Sequence, residues 1–135
     1  MKDILKKSSI TALAIVGIGV VISQVSARQI GDYDVTIPRF GNITTTTLYK
    51  ENHTNGVHQN DAIGGNKRIN TSIQLSRTGA DITGSYQMGP GDVIYMPYHG
   101  GAGAYIGSGT KLSIATPVST VVKVQAQGSW SPDAQ

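Results

Sequence analysis

The chain predicts an all-β fold, a single small β-sandwich or small barrel of about seven short antiparallel strands. Three observations predict it. Beyond residue 27 no apolar period of 3.6 residues is sustained over a helix-length stretch. Short runs alternate apolar and polar residues instead, and a Gly, Pro or Asn turn signal separates nearly every run from the next. The total of 135 residues limits this material to one domain.

Arg28 to Asp32 is a polar lead-in expected to be loose, as untied termini are. Tyr33, Val35 and Ile37 alternate with Asp34 and Thr36, which predicts a half-buried strand stopped at Pro38. After a turn over 39–42, Ile43 to Tyr49 carries four successive threonines, whose β-branched side chains favour a pleated surface over a helix. Glu51 to Asn66 is almost devoid of apolar residues and holds Asn55-Gly56 and Gly64-Gly65. It reads as a long polar loop.

Lys67 to Ser76 gives the cleanest strand, with Ile69, Thr71, Ile73 and Leu75 facing one way. A turn over 78–81 precedes an extended run from Ile82 to Met88, and Gly89-Pro90-Gly91-Asp92 is a strong turn. Asp92 to Met96 is a short apolar strand closed by Pro97. His99 to Gly109 is a glycine-rich loop, Lys111 to Ala115 a short strand ended at Pro117, and Thr120 to Trp130 the longest strand candidate. On that last strand Val122, Val124, Ala126, Gly128 and Trp130 share one face, and Trp130 reads as a core anchor.

The first 27 residues have a different character. Lys2, Lys6 and Lys7 form a positive head, Ile10 to Ile22 is an uninterrupted neutral run, and Val25 and Ala27 are small residues at the positions a signal peptidase reads. This predicts a secretory signal peptide over 1–27, cleaved after Ala27, and a mature domain over 28–135 with a secreted, extracellular location. A helical run from Ile10 to Ile22 reaches only about 20 Å, short of the roughly 30 Å hydrocarbon core, so no stable transmembrane anchor is expected.

Charge and composition then exclude several function classes. Removing the leader's three lysines and one aspartate leaves eight basic and seven acidic residues, a net of +1, with the basic residues scattered. No nucleic-acid partner follows from that balance. The absence of cysteine excludes thiol catalysis, cysteine zinc sites and a disulfide scaffold. His53 and His58 share the polar segment with Asp61, but they read as solvated loop residues lacking an element to fix metal geometry. No Gly-x-Ser-x-Gly elbow, paired-carboxylate set or phosphate-loop pattern occurs, and the acidic residues fall mostly at turns. No enzyme, cofactor or metal site is therefore expected.

The most distinctive local feature is a cluster of tyrosines. Tyr86, Tyr95, Tyr98 and Tyr105 lie between positions 86 and 105 beside His99 and several glycines. Amphipathic rings with a hydroxyl tip are enriched where proteins meet ligands or one another. Tyr95, Tyr98, His99, Gly100, Gly101, Gly103 and Tyr105 are the candidate binding residues, with Tyr98 and Tyr105 expected to be exposed in the glycine-rich loop and Tyr86 and Tyr95 half-buried on strands. The sequence leaves the oligomeric state open.

The lysine-headed leader, the Thr/Asn/Gly-rich cysteine-free β domain and the closing Gly128-Ser129-Trp130-Ser131-Pro132-Asp133 resemble small secreted β proteins of Gram-positive bacteria of the Bacillus and Lactobacillales type. Some of those are encoded near bacteriocin or transport genes. The leader, the β pattern and the absence of an assembled catalytic set predict a small secreted, non-enzymatic protein that acts by binding at a cell surface or to an extracellular partner, the alternative being a bacteriocin-like, membrane-damaging antagonist.

Overall fold

The computed structural model describes residues 28–117 and 119–135. The predicted leader and its cleavage site after Ala27 lie outside the described residues. Among those described, nine strands form two antiparallel sheets: β1 (Gly31–Ile37), β2 (Asn42–Thr44), β3 (Leu48–Tyr49), β4 (Gly56–Ile63), β5 (Ile69–Leu75), β6 (Tyr86–Met88), β7 (Val93–Met96), β8 (Gly109–Ala115) and β9 (Val124–Ser131). Sheet I has the order β1-β9-β4-β7. Sheet II has the order β2-β8-β5-β6, with β3 pairing the other end of β8.

The first and last strands are thus sheet neighbours, and seven register pairs run from Gly31↔Trp130 to Ile37↔Val124. Residues directly opposite one another project from the same face. Tyr33, Val35 and Ile37 therefore share the inner face with Val124, Ala126, Gly128 and Trp130, and pairing with β4 and β7 adds His58, Asn60, Ile94 and Met96. Sheet II contributes Ile69, Ile73, Met88, Leu112 and Ile114, all fully buried against that row. The period-2 reading of β1, β5 and β9 predicts these faces, including the burial of Trp130.

Of four expectations, the sandwich is met and three need correction. The strand expected over 43–49 is broken, because Thr44 pairs with Ser113 and Leu48 with Thr110, so one residue is in excess. The Thr45 hydroxyl fills the gap by accepting the Leu112 N–H at 3.1 Å, the signature of a bulge. Second, the expected sandwich is the form adopted, with nine short strands where about seven were expected.

Third, the segment 51–66 is not one long loop: β4 occupies its second half and lies between β9 and β7 in sheet I. It eludes an apolar pattern search because its inward residues include His58 and Asn60, both polar and fully buried. Fourth, the lead-in at 28–32 is tied down. Arg28 Nη1 donates to the Asp133 carbonyl at 3.0 Å, and β1 begins at Gly31.

Candidate functional site

Polar side chains are used in two ways, one inside the sandwich and one on its surface. Inside, Tyr33 Oη donates to Asn60 Oδ1 at 2.9 Å and also bonds His58 Nε2, while His58 Nδ1 meets Thr71 Oγ1 at 3.0 Å. The donor inventory then sets the remaining protons: Nε2–H donates to Tyr33, and the Thr71 hydroxyl donates to Nδ1. A neutral imidazole satisfies the whole chain. Burial pushes the His58 pKa down to about 3 and pushes the Tyr33 phenol up, with Asp61 adding to the latter. Gly128 makes the arrangement possible, since a Cβ there would collide with the Gln59 carbonyl and the Tyr33 ring.

A second buried cluster closes one end. Lys50 Nζ, fully buried, meets Asp133 Oδ1 at 2.7 Å and also donates to the carbonyls of Thr54 (2.6 Å) and Pro132 (3.3 Å). The Asp133 carboxylate in turn accepts the backbone N–H groups of Glu51 and Asn52. Tyr98 Oη donates to Pro132 O at 2.6 Å, and its ring lies 4.5 Å from Lys50 Nζ. Burial, and after it the Asp133 charge, raise the Tyr98 pKa. This end ties the segments after β3 and β9 together through hydrogen bonds and charge.

The second use is on the outer face of sheet I. Register places Thr36, Asp34 and Asp32 beside Gln125, Gln127 and Ser129, then Gln59 and Val57 beside Val93 and Tyr95. Asp34 accepts from Gln125 Nε2 at 3.0 Å and Gln127 Nε2 at 3.3 Å; Gln59 Nε2 donates to Asp61 at 3.1 Å. Each amide is oriented by that bond and offers its carbonyl oxygen as a further acceptor. Tyr95 is 62% exposed at one edge of this face. It lines a shallow groove of about 160 Å³ with Val57 and Val93 from the sheet, Arg28 and Ile30 from the N-terminal side and Ala134 from the C-terminal side.

The candidate residues chosen from sequence therefore divide. Tyr95 is on the outer face and more exposed than its strand position predicts. Tyr98, expected to be exposed, is 5% exposed, because its ring covers Lys50 and its hydroxyl is bonded inside. Tyr105 is half-buried against the core, its ring 5.9 Å from that of Tyr98. His99, Gly100, Gly101 and Gly103 are exposed around this anchor, with Gly100 and Gly101 at positive φ and Gly103 abutting the His53 ring. The glycine-rich loop is thus organised around an internal tyrosine rather than presenting two outward ones.

His58 is likewise a core residue, not a solvated one. Among the described residues no group of three or more His, Cys, Asp or Glu side chains is placed to hold a metal ion, and no helix is long and apolar enough to cross a membrane. Sequence reasoning missed Gln59, Gln125, Gln127 and Asp34. For Asp34, Gln125 and Gln127 the signal was present in the alternation of β1 and β9, whose polar members define the outer face, whereas Gln59 lies on β4, which shows no such pattern.

No family model matches the chain, and no curated protein matches it. Among solved structures it is similar to one described as "Carbohydrate-Binding Module CBM36 in complex with calcium and xylotriose", at 9% identity and a TM-score of 0.43. The match covers 76% of this chain and 91% of that one.

Proposed function

We propose that the protein is a secreted, non-enzymatic binding module whose outer face of sheet I engages a polyhydroxylated component of a cell surface or extracellular matrix. The observation that carries this reading is a sheet face with an exposed tyrosine at one edge, near Gln59, and oriented amide–carboxylate pairs across the rest of it. A planar ring supplies an apolar platform with a polar tip, and fixed amide and carboxylate pairs supply hydrogen-bond partners for neighbouring hydroxyls. The face carries more acids than bases, which suits a neutral ligand better than a polyanion. The most strongly shifted titratable groups, His58, Tyr33 and Tyr98, lie inside the sandwich with their polar atoms already paired.

The test is to incubate the purified protein with intact Gram-positive cells and record bound fraction and uptake of an impermeant dye together. Binding that soluble polysaccharide competes away, without dye uptake, is the expected result. Dye uptake would replace this reading with the membrane-damaging one. Binding that survives Tyr95→Ala unchanged would remove the proposed face from consideration.

A further inference from the structure

The cluster at Lys50 and Asp133 holds an amine and a carboxyl group in direct, fully buried contact. Both side chains are fully buried, they come from segments 83 residues apart in sequence, and their charged atoms meet at 2.7 Å. Removing two opposite charges from water is costly, and their attraction offsets that cost only when geometry and additional hydrogen bonds are favourable. A covalent amide between the same two groups would eliminate both buried charges.

We infer that Lys50 and Asp133 form an intramolecular amide bond, a self-made cross-link that fastens the segment after β9 to the segment after β3. The local contacts supply what the reaction needs. Two of the three ammonium protons are held by the Thr54 and Pro132 carbonyls, so the third is the one directed at Asp133. When that proton passes along the hydrogen bond to the carboxylate, the nitrogen lone pair left behind faces the carboxyl group. Oδ1, which takes that proton and carries the Asn52 N–H at 3.3 Å, becomes the leaving hydroxyl, and the Glu51 N–H, bonded to Oδ2 at 2.7 Å, stabilises the oxyanion that develops there as nitrogen attacks Cγ.

The step balances without a co-reactant. The new Nζ–Cγ bond forms and a Cγ–O bond breaks. One lysine proton has become the hydroxyl proton, a second leaves with that hydroxyl as water, and the third stays on the amide nitrogen. No atom is oxidised or reduced. The fixed juxtaposition of two buried groups converts a slow bimolecular condensation into an intramolecular one, which is the main source of acceleration available here. In a chain without cysteine, such a link would serve where an extracellular domain otherwise uses a disulfide.

The experiment is mass spectrometry on the full chain, folded and then denatured and digested with trypsin. The cross-link predicts an intact mass lower by one water than the same chain bearing Lys50→Arg, after allowing for the substitution. It also predicts no cleavage after Lys50, and a branched product in which residues 40–67 are joined to residues 124–135. In Asp133→Asn the same attack would expel ammonia instead of water. Cleavage after Lys50 with separate peptides from the folded wild-type protein, at full mass, would overturn the inference. That readout needs no variant to fold.

Discussion

The interior cluster at Lys50, Asp133 and Tyr98 and the outer face around Tyr95 use similar residue types to opposite ends. In the interior each polar atom has its partner inside the protein: the Tyr98 hydroxyl holds a carbonyl, and the Asp133 carboxylate holds a cation and two amides. On the outer face the side chains are oriented by one another but remain exposed at Tyr95, Asp34 and Gln125. The difference teaches where to assign stability and where to assign binding. A side chain whose bonding capacity is used up internally holds the fold, whereas one that is fixed in place with capacity to spare can meet a ligand.

The largest effect expected from breaking this contrast is at the interior end. Asp133→Ala removes the ion pair, and with it the amide inferred to form from it, and leaves Lys50 buried without its partner, so stability should fall by at least about 3 to 5 kcal/mol, read from denaturant unfolding. A loss under about 1 kcal/mol would mean that the pair is far more hydrated than its burial implies.

Next comes the pH dependence of the inner network. His58 has a folded pKa near 3 against 6.5 for the free side chain, so the unfolded chain takes up a proton that the folded one refuses. Its contribution is complete above pH 6.5 and declines as pH falls from there toward 3, at up to about 1.4 kcal/mol per pH unit. Unfolding curves at intervals across that window should show the decline, and a neutral replacement, His58→Gln, should flatten it although its starting stability is lower. Equal slopes in the two proteins would contradict the assignment.

A smaller loss follows from Tyr33→Phe. The ring still packs, but His58 Nε2 and Asn60 Oδ1 lose their shared partner inside the core, which costs about 1 to 3 kcal/mol. A shift in thermal midpoint measures it, and an unchanged midpoint would mean that water reaches the site.

Legibility in the sequence followed this same division. Strand β5 was readable because Ile69, Thr71 and Ile73 put an apolar-rich row on one face and face the core. Strand β4, central in the opposite sheet, was not, because His58 and Asn60 occupy core positions and their side-chain partners are Tyr33 and Thr71, residues distant in sequence. Asp133 looked like a terminal turn acid for the same reason, its cation being 83 residues away. Tyr98 and Tyr95 could not be separated by composition, since a local tyrosine count says nothing about which ring turns inward. The alternation that located the inner faces of β1 and β9 also located Asp34, Gln125 and Gln127 on the outer one.

The most direct measurement of the central claim is a paired one on Tyr95→Ala, recording thermal midpoint and fraction bound to intact cells beside the wild type. An exposed strand residue with no internal hydroxyl bond to lose should leave stability within about 0.5 kcal/mol, while binding falls at least several-fold. Undiminished binding at unchanged stability would contradict the assignment of function to the outer face of sheet I.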